Sequence, residues 1–161
     1  VNEGIRRSKE PYVILLNNDT EPDCHYIGEM IKAIERSPEI FSVSSKMIQL
    51  YDHSKMDDAG DMYTLLGWAF QRGVGRPATG YNRSCPVFSA CAGAAIYRRE
   101  VFETIGYFDE MHLLMWVTGR RFMVIKMFTA QAPWYTTWEV VPVDPVTIHL
   151  RSVWQQETIF I

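Results

Sequence analysis

Asn17, Asn18, Asp19 and Thr20 follow directly on the apolar run Tyr12 to Leu16, so carboxylate, amide and hydroxyl oxygens gather where an apolar segment stops. Oxygens of this kind suit Mg²⁺ or Mn²⁺, hard cations that keep several waters and bridge to substrate phosphates, so that one protein carboxylate can suffice. The run itself has the length, and the aromatic and β-branched start, of a buried strand. In an open α/β sheet, ligands bind in the crevice beyond the carboxyl ends of the strands, which is where these four residues would lie. Asn, Asp and Thr also form turns and cap helices. On these residues alone both roles stand.

The elements that would position them are legible further along. Pro22 and Asp23 can start a helix, and Ile27, Met30, Ile31 and Ile34 recur at helical spacing until Ser37 and Pro38 stop it. Phe41, Val43 and the stretch from Met47 to Leu50 predict a second strand. Asp52 to Gly80, rich in Gly, Asp and turn residues, reads as a long loop of the kind that is often functional. Val87 to Tyr97 is small and apolar with Gly93 in its middle, and Arg99 to Ile105 predicts a short amphipathic helix closed by Gly106. Strands alternating with helices imply an α/β sheet. Beyond His112 the character changes: Trp116, Trp134, Trp138 and Trp154 stand among Pro, Thr and Val without a sustained period.

Composition narrows the classes. The chain has 161 residues, 47% of them hydrophobic and 22% charged, which suits one globular domain. A net charge of −3, with lysines and arginines scattered rather than striped, offers no face for a nucleic acid backbone. No apolar run is long enough to span a bilayer, and Val-Asn-Glu-Gly-Ile-Arg-Arg at the amino end has no apolar signal core. Cys24, Cys85 and Cys91 lack paired short spacing, so reduced thiols are expected rather than a disulfide framework or a zinc site. His25, His53, His112 and His149 form no i, i+4 pair of the kind that holds a metal on a helix.

The order of several motifs resembles the family 2 glycosyltransferases, in particular their bacterial rhamnosyltransferase-like branch. Asn2, Gly4 and Ile5 look like the end of that family's Asn-x-Gly segment; YVILLNNDTEP, Tyr12 to Pro22, looks like its strand running into a variant Asp-x-Asp motif, with Asn17 and Asp19 at the two acidic positions. Lys46, Met47, Asp58, Ala59 and Gly60 are similar to the next signposts, and CAGAAIYRREVFETIGYFDE, Cys91 to Glu110, resembles the segment that shapes the donor and acceptor pocket. The resemblance implies a partial GT-A domain over 1–112, Rossmann-like with a mostly parallel sheet. It implies a nucleotide-sugar donor, a saccharide or lipid-linked acceptor, and a cytoplasmic place, peripherally at the inner face of the cell membrane. Asp19 would hold Mg²⁺ or Mn²⁺ on the donor diphosphate, with Asn17 or Asn18 as a neutral ligand or ribose contact. Gly93, Ala94 and Ala95 would let the sugar approach the backbone, unless their smallness serves close packing of strand on helix. Asp109 and Glu110 would lie on the acceptor side.

The same resemblance calls for a Glu-Asp pair soon afterwards, supplying the general base of inverting transfer. Leu113, Leu114, Met115, Trp116 and Val117 stand there instead, and no carboxylate returns until Glu139. Back-translated and read in the next frame, the tail from about Met115 resembles the family's continuation. The expectation is therefore a small deletion with a frameshift, which leaves 113–161 an out-of-frame, poorly specified segment and the chain inactive. Its unselected tryptophans would leave apolar patches that promote association. The amino end is expected to be short of the family's first strand.

Overall fold

The computed structural model describes residues 1–64, 69–108, 139–140, 148–150 and 158–160. Helix α1 (Asn2–Arg7) precedes strand β1 (Tyr12–Asn17), the short β2 (Thr20–Glu21), helix α2 (Tyr26–Ile34) and strands β3 (Ser42–Ser44) and β4 (Met47–Gln49). Strands β5 (Asp52–Asp58), β6 (Asp61–Tyr63) and β7 (Ala69–Gln71), a 3-10 helix at Ala78–Tyr81 and strand β8 (Cys85–Pro86) follow. Strand β9 (Ala94–Arg98) runs straight into helix α3 (Arg99–Ile105), and β10 (Glu139–Val140), β11 (Ile148–Leu150) and β12 (Thr158–Phe160) complete the described elements.

The main sheet has six strands in the order β12-β1-β9-β3-β10-β8. Its centre is apolar on both faces, with alternate residues going to opposite sides as the pleat requires. Ile14, Leu16, Ala94, Ile96 and Val43 pack with Tyr26, Met30 and Ile34 of α2. Val13, Leu15, Ala95 and Tyr97 face the other way, against Ile5 of α1 and Val101 and Phe102 of α3. Helices therefore cover both faces of an α/β sheet. On the α1 and α3 side, the rings of Phe41, Tyr97, Phe102 and Phe108 meet at centroid distances of 5.4 to 6.0 Å. Each fully buried side chain of this size contributes about 1.5 to 3 kcal/mol.

The expected helices are present: α2 ends before Ser37, and α3 spans Arg99–Ile105 with Gly106 at φ +91°, its N–H donating to the Phe102 carbonyl at 3.0 Å. Two expectations are corrected. The sheet is not mostly parallel, because β9 lies between β1 and β3 and is antiparallel to both. An apolar run such as Ala94–Arg98 reads the same in either direction; what sets its sense is that the chain re-enters the sheet at the edge where β1 and β3 leave it. Nor is Asp52 to Gly80 one long loop. It holds β5, which pairs with β4 in a second sheet of order β2-β11-β4-β5, and the hairpin of β6 with β7. Strand β5 has no apolar alternation in its sequence because its inward positions are Met56 and Asp58 while His53, Ser54 and Lys55 are exposed, so a buried acid masks the pattern.

Arg98, the last residue of β9, fastens the end of α2. Its Nε donates to the Ile40 carbonyl at 2.7 Å, and its Nη2 to the carbonyls of Ile34 at 2.6 Å and Ser37 at 2.9 Å. Carbonyls of a helix's last turn have no partner inside the helix, and a cation there also complements the helix dipole. The guanidinium lies 5.6 Å from the centre of the Tyr12 ring. Replacing it by methionine keeps the stem and strands the Ile34 and Ile40 carbonyls, while that of Ser37 keeps only its bond from the Ile40 N–H at 3.2 Å. Arg98→Met is expected to lower the free energy of unfolding by about 2 to 3 kcal/mol in urea titration, and a loss below about 0.5 kcal/mol, the range of an ordinary surface substitution, would show that the clamp is incidental.

Candidate functional site

Because β9 runs against β1 and β3, its first residues meet their last ones: Leu16 pairs with Ala94, and Ser44 with Ala95. The main sheet thereby gathers polar groups on one edge, the edge at which open α/β sheets hold ligands. The Asn17 N–H donates to the Gly93 carbonyl at 2.9 Å, and the Thr20 hydroxyl donates to the Asn17 carbonyl at 2.7 Å, so the turn from β1 to β2 is tied at both ends. The Ser45 hydroxyl donates to the Ala94 carbonyl at 2.6 Å and lies 3.1 Å from the Tyr26 hydroxyl. Burial pushes the Tyr26 phenol up to about 12, partly offset by the bond from Ser45.

The expected site residues separate on this frame. Asn17 and Gly93 are brought together: a Cβ placed on Gly93 would sit 3.4 Å from the Asn17 side-chain nitrogen and 3.6 Å from the Cys91 sulfur. Asn18 is exposed, and Asp19 is half-buried on the turn beyond β1. The Oδ1 of Asp19 is enclosed by protein yet has no hydrogen-bond partner. A buried carboxylate oxygen left without a donor is costly unless something fills the role, and the chemistry of the group fits a divalent cation. Ala94 and Ala95 are wholly buried with side chains on opposite faces of the sheet, so close packing accounts for their size. Asp109 and Glu110 lie outside the described residues. The segment that leads to them is anchored at Phe108, whose carbonyl accepts from the Asn2 amide at 2.7 Å and whose N–H donates to the Asn2 Oδ1 at 3.1 Å.

Two groups went unassigned in the sequence. Asp58 is wholly buried with neither oxygen hydrogen-bonded, and burial followed by the neighbouring charge of Asp61 raises its carboxyl to about 7. Burial likewise raises Asp61 to about 6, against a bond from the Ser89 hydroxyl at 3.3 Å. Cys91 adjoins Asp58, and burial with these two acids pushes its thiol well up. The only signal in the sequence was Asp58-Ala59-Gly60, a resemblance with no role attached. The second group is Asp23, Cys24 and His25, whose ligand atoms lie within 4.8 Å of one another on the surface. Its compactness follows from the turn that starts α2, in which the His25 N–H donates to Asp23 Oδ1 at 2.8 Å. All three cysteines are unpaired, and among the described residues no helix is long and apolar enough to cross a membrane.

Fold and edge together define an α/β domain whose central strand β1 leads into a turn carrying Asp19 at one edge of the sheet. Residues 1–106 match the profile of Glycosyl transferase family 2, and the chain belongs to that family. Neither a curated protein nor a solved structure matches the chain.

Gly93 is where added bulk would be felt first. Gly93→Val drives methyls against the Asn17 amide and the Cys91 sulfur, and is expected to lower stability by about 1 to 3 kcal/mol. The melting temperature checks this; unchanged stability would mean that the Asn17 side chain is free to leave the position it holds.

Proposed function

We propose that this glycosyltransferase domain binds a nucleotide-sugar donor at the edge formed by Asn17 to Thr20 and Cys91 to Gly93, in the manner of the bacterial rhamnosyltransferase-like branch. The observation that carries the reading is the enclosed, partnerless Oδ1 of Asp19 at the tip of a buried strand. Asp19 would hold Mg²⁺ or Mn²⁺, and when bound such an ion offsets the charge of the departing diphosphate. Asn17 is fixed through its backbone to Gly93, which keeps its amide beside the cleft as a neutral donor to ribose or phosphate oxygens. Asn18, being exposed, serves as a second such contact. Gly93 leaves the wall of the cleft without a side chain at the point nearest Asn17. The Asn2 bonds to Phe108 hold the approach to Asp109 and Glu110, the acceptor-side pair in this reading. The acceptor is a saccharide or a lipid-linked sugar, met at the inner face of the cell membrane by peripheral association.

The chain binds its donor without transferring it. Inverting transfer needs a base within hydrogen-bonding reach of the acceptor hydroxyl, and the Glu-Asp pair that supplies it in the family is replaced by Leu113, Leu114, Met115, Trp116 and Val117. The match to the family ends at residue 106, which supports the reading of 113–161 as an out-of-frame tail. Sequencing the source gene tests that directly, and a tail encoded in the undisturbed frame would refute it.

For the site, binding of a nucleoside diphosphate by the full chain is to be measured by calorimetry with Mn²⁺ and with chelator. Metal-dependent binding is expected, with Asp19→Ala weakening it by roughly tenfold or more, about 1.4 kcal/mol, and with no release of sugar from a nucleotide-sugar. Equal binding by wild type and Asp19→Ala sinks the assignment of Asp19, and steady sugar transfer sinks the inactivity.

A further inference from the structure

Asp58 occupies the core-facing position of β5 opposite Met47, where a strand would normally place an apolar side chain. The acids near it make the site less hospitable to a charge. Asp57 precedes it on β5, and Asp61 follows across the turn at Gly60; Cys91 faces it from the segment before β9. Strand β4 offers Met47, and the 3-10 helix that packs on β5 offers the buried Ala78 and Tyr81, whose ring is engaged by the Arg72 guanidinium at 4.9 Å. The Cys91 thiol and the Gly60 N–H favour the charged form, but neither closes a hydrogen bond on either oxygen.

The turn that carries this acid is stitched to the segment that leads into β9. The Asp61 N–H donates to the Ser89 carbonyl at 2.9 Å, the Asp61 carbonyl accepts from Phe88 at 3.0 Å and Ser89 at 3.3 Å, and the Ser89 hydroxyl reaches the Asp61 carboxyl. Two residues on, Cys91 touches Asp58 on one side and the Gly93 position beside Asn17 on the other. Strain at Asp58 has a short path to the cleft.

We propose that Asp58 is a positioning residue: while it holds a proton it keeps the Cys91–Gly93 wall closed against Asn17, and its ionisation releases that wall. A carboxylate with two partnerless oxygens beside two further acids is relieved by water, and the Ser89–Gly93 segment, bonded to the turn at Asp61 and in contact through Cys91, is the cover whose lifting would admit it. That this wall belongs to a donor cleft rests on the glycosyltransferase reading; that it responds to Asp58 does not.

The direction of the pH effect follows from the raised carboxyl. Below about pH 4 both folded and unfolded chains carry the proton, and Asp58 contributes no pH dependence; between there and about 7 the unfolded chain has released a proton that the folded chain keeps. Stability and closure therefore fall as pH rises through that window and level off above it. Asp61, raised to about 6, adds a part that ends sooner.

Hydrogen exchange of the Ser89–Ala94 amides in the full chain, corrected for intrinsic rate, tests this between pH 5 and pH 8. Above about pH 6, where the part from Asp61 has ended, wild-type protection is expected to fall by up to roughly tenfold per pH unit, the limit for one proton, and to level off above about pH 7. Asp58→Asn, which cannot ionise at that position, is expected to be flat above about pH 6, where the part from Asp61 has ended. Asp61→Asn retains the buried Asp58 and is expected to keep the fall but to level off at a lower pH than wild type, since the Asp61 charge no longer raises Asp58; this serves if Asp58→Asn does not fold. Flat wild-type protection, an Asp58→Asn profile like the wild type's, or loss of the effect in Asp61→Asn each overturns the proposal. Nucleoside diphosphate and Mn²⁺ are to be titrated in parallel. No binding at any pH, with the wall still loosening in wild type and not in Asp58→Asn, upholds Asp58 and sinks the donor site instead.

Discussion

The pairing of β1 with β9 is the constraint on which the rest depends. From Tyr12↔Arg98 to Leu16↔Ala94 the two strands form an unbroken antiparallel ladder, buried by helices on both faces. A strand buried on both sides can carry no polar group along its length without cost. Polar groups are therefore confined to its ends. The antiparallel sense of β9 brings its first residues to the end of β1, and so Asn17 and Gly93 become neighbours although 76 positions separate them in the sequence.

That ladder also explains the two side chains that do the longest-range tying. Arg98 ends β9 at the opposite edge, where it collects the carbonyls that α2 and the turn after it leave open. Asn2 pairs with the backbone of Phe108 through both halves of its amide, in the way a neighbouring strand would. Each satisfies backbone groups that no helix or sheet partner reaches. Together they set the two exits from the core, one into α2 and the other towards Asp109.

Against this economy Asp58 stands out. The same fold that hydrogen-bonds its backbone ends places an acid inside the second sheet and gives its carboxyl no partner. Such a group persists where surrounding contacts outweigh its cost, here Met56, Ala59 and Ala78 in a small apolar cluster and the hydrogen bonds that join Asp61 to Ser89. A buried carboxyl with a raised pKa keeps its proton only below that value, so the range in which it is tolerated ends near neutrality. The second sheet is thus tied to the segment that leads into β9.

Local pattern was enough for much of this. Tyr12 to Leu16 and the helical spacing of Met30 and Ile34 identified a strand and a helix, and Gly106 marked the end of α3, because each signal lies within a few residues and reports burial or backbone conformation directly. The ordered motifs from Asn2 to Phe108 identified the family that the profile match assigns to residues 1–106. Strand direction was not legible, since an apolar run carries no arrow, and β5 was not, since its inward position is an aspartate. What the sequence by itself determined is which segments are buried and which residue types follow them. Which of those residues meet, Asn17 with Gly93 and Cys91 with Asp58, only the tertiary structure decided, because contact between distant segments depends on the sense in which strands enter the sheet.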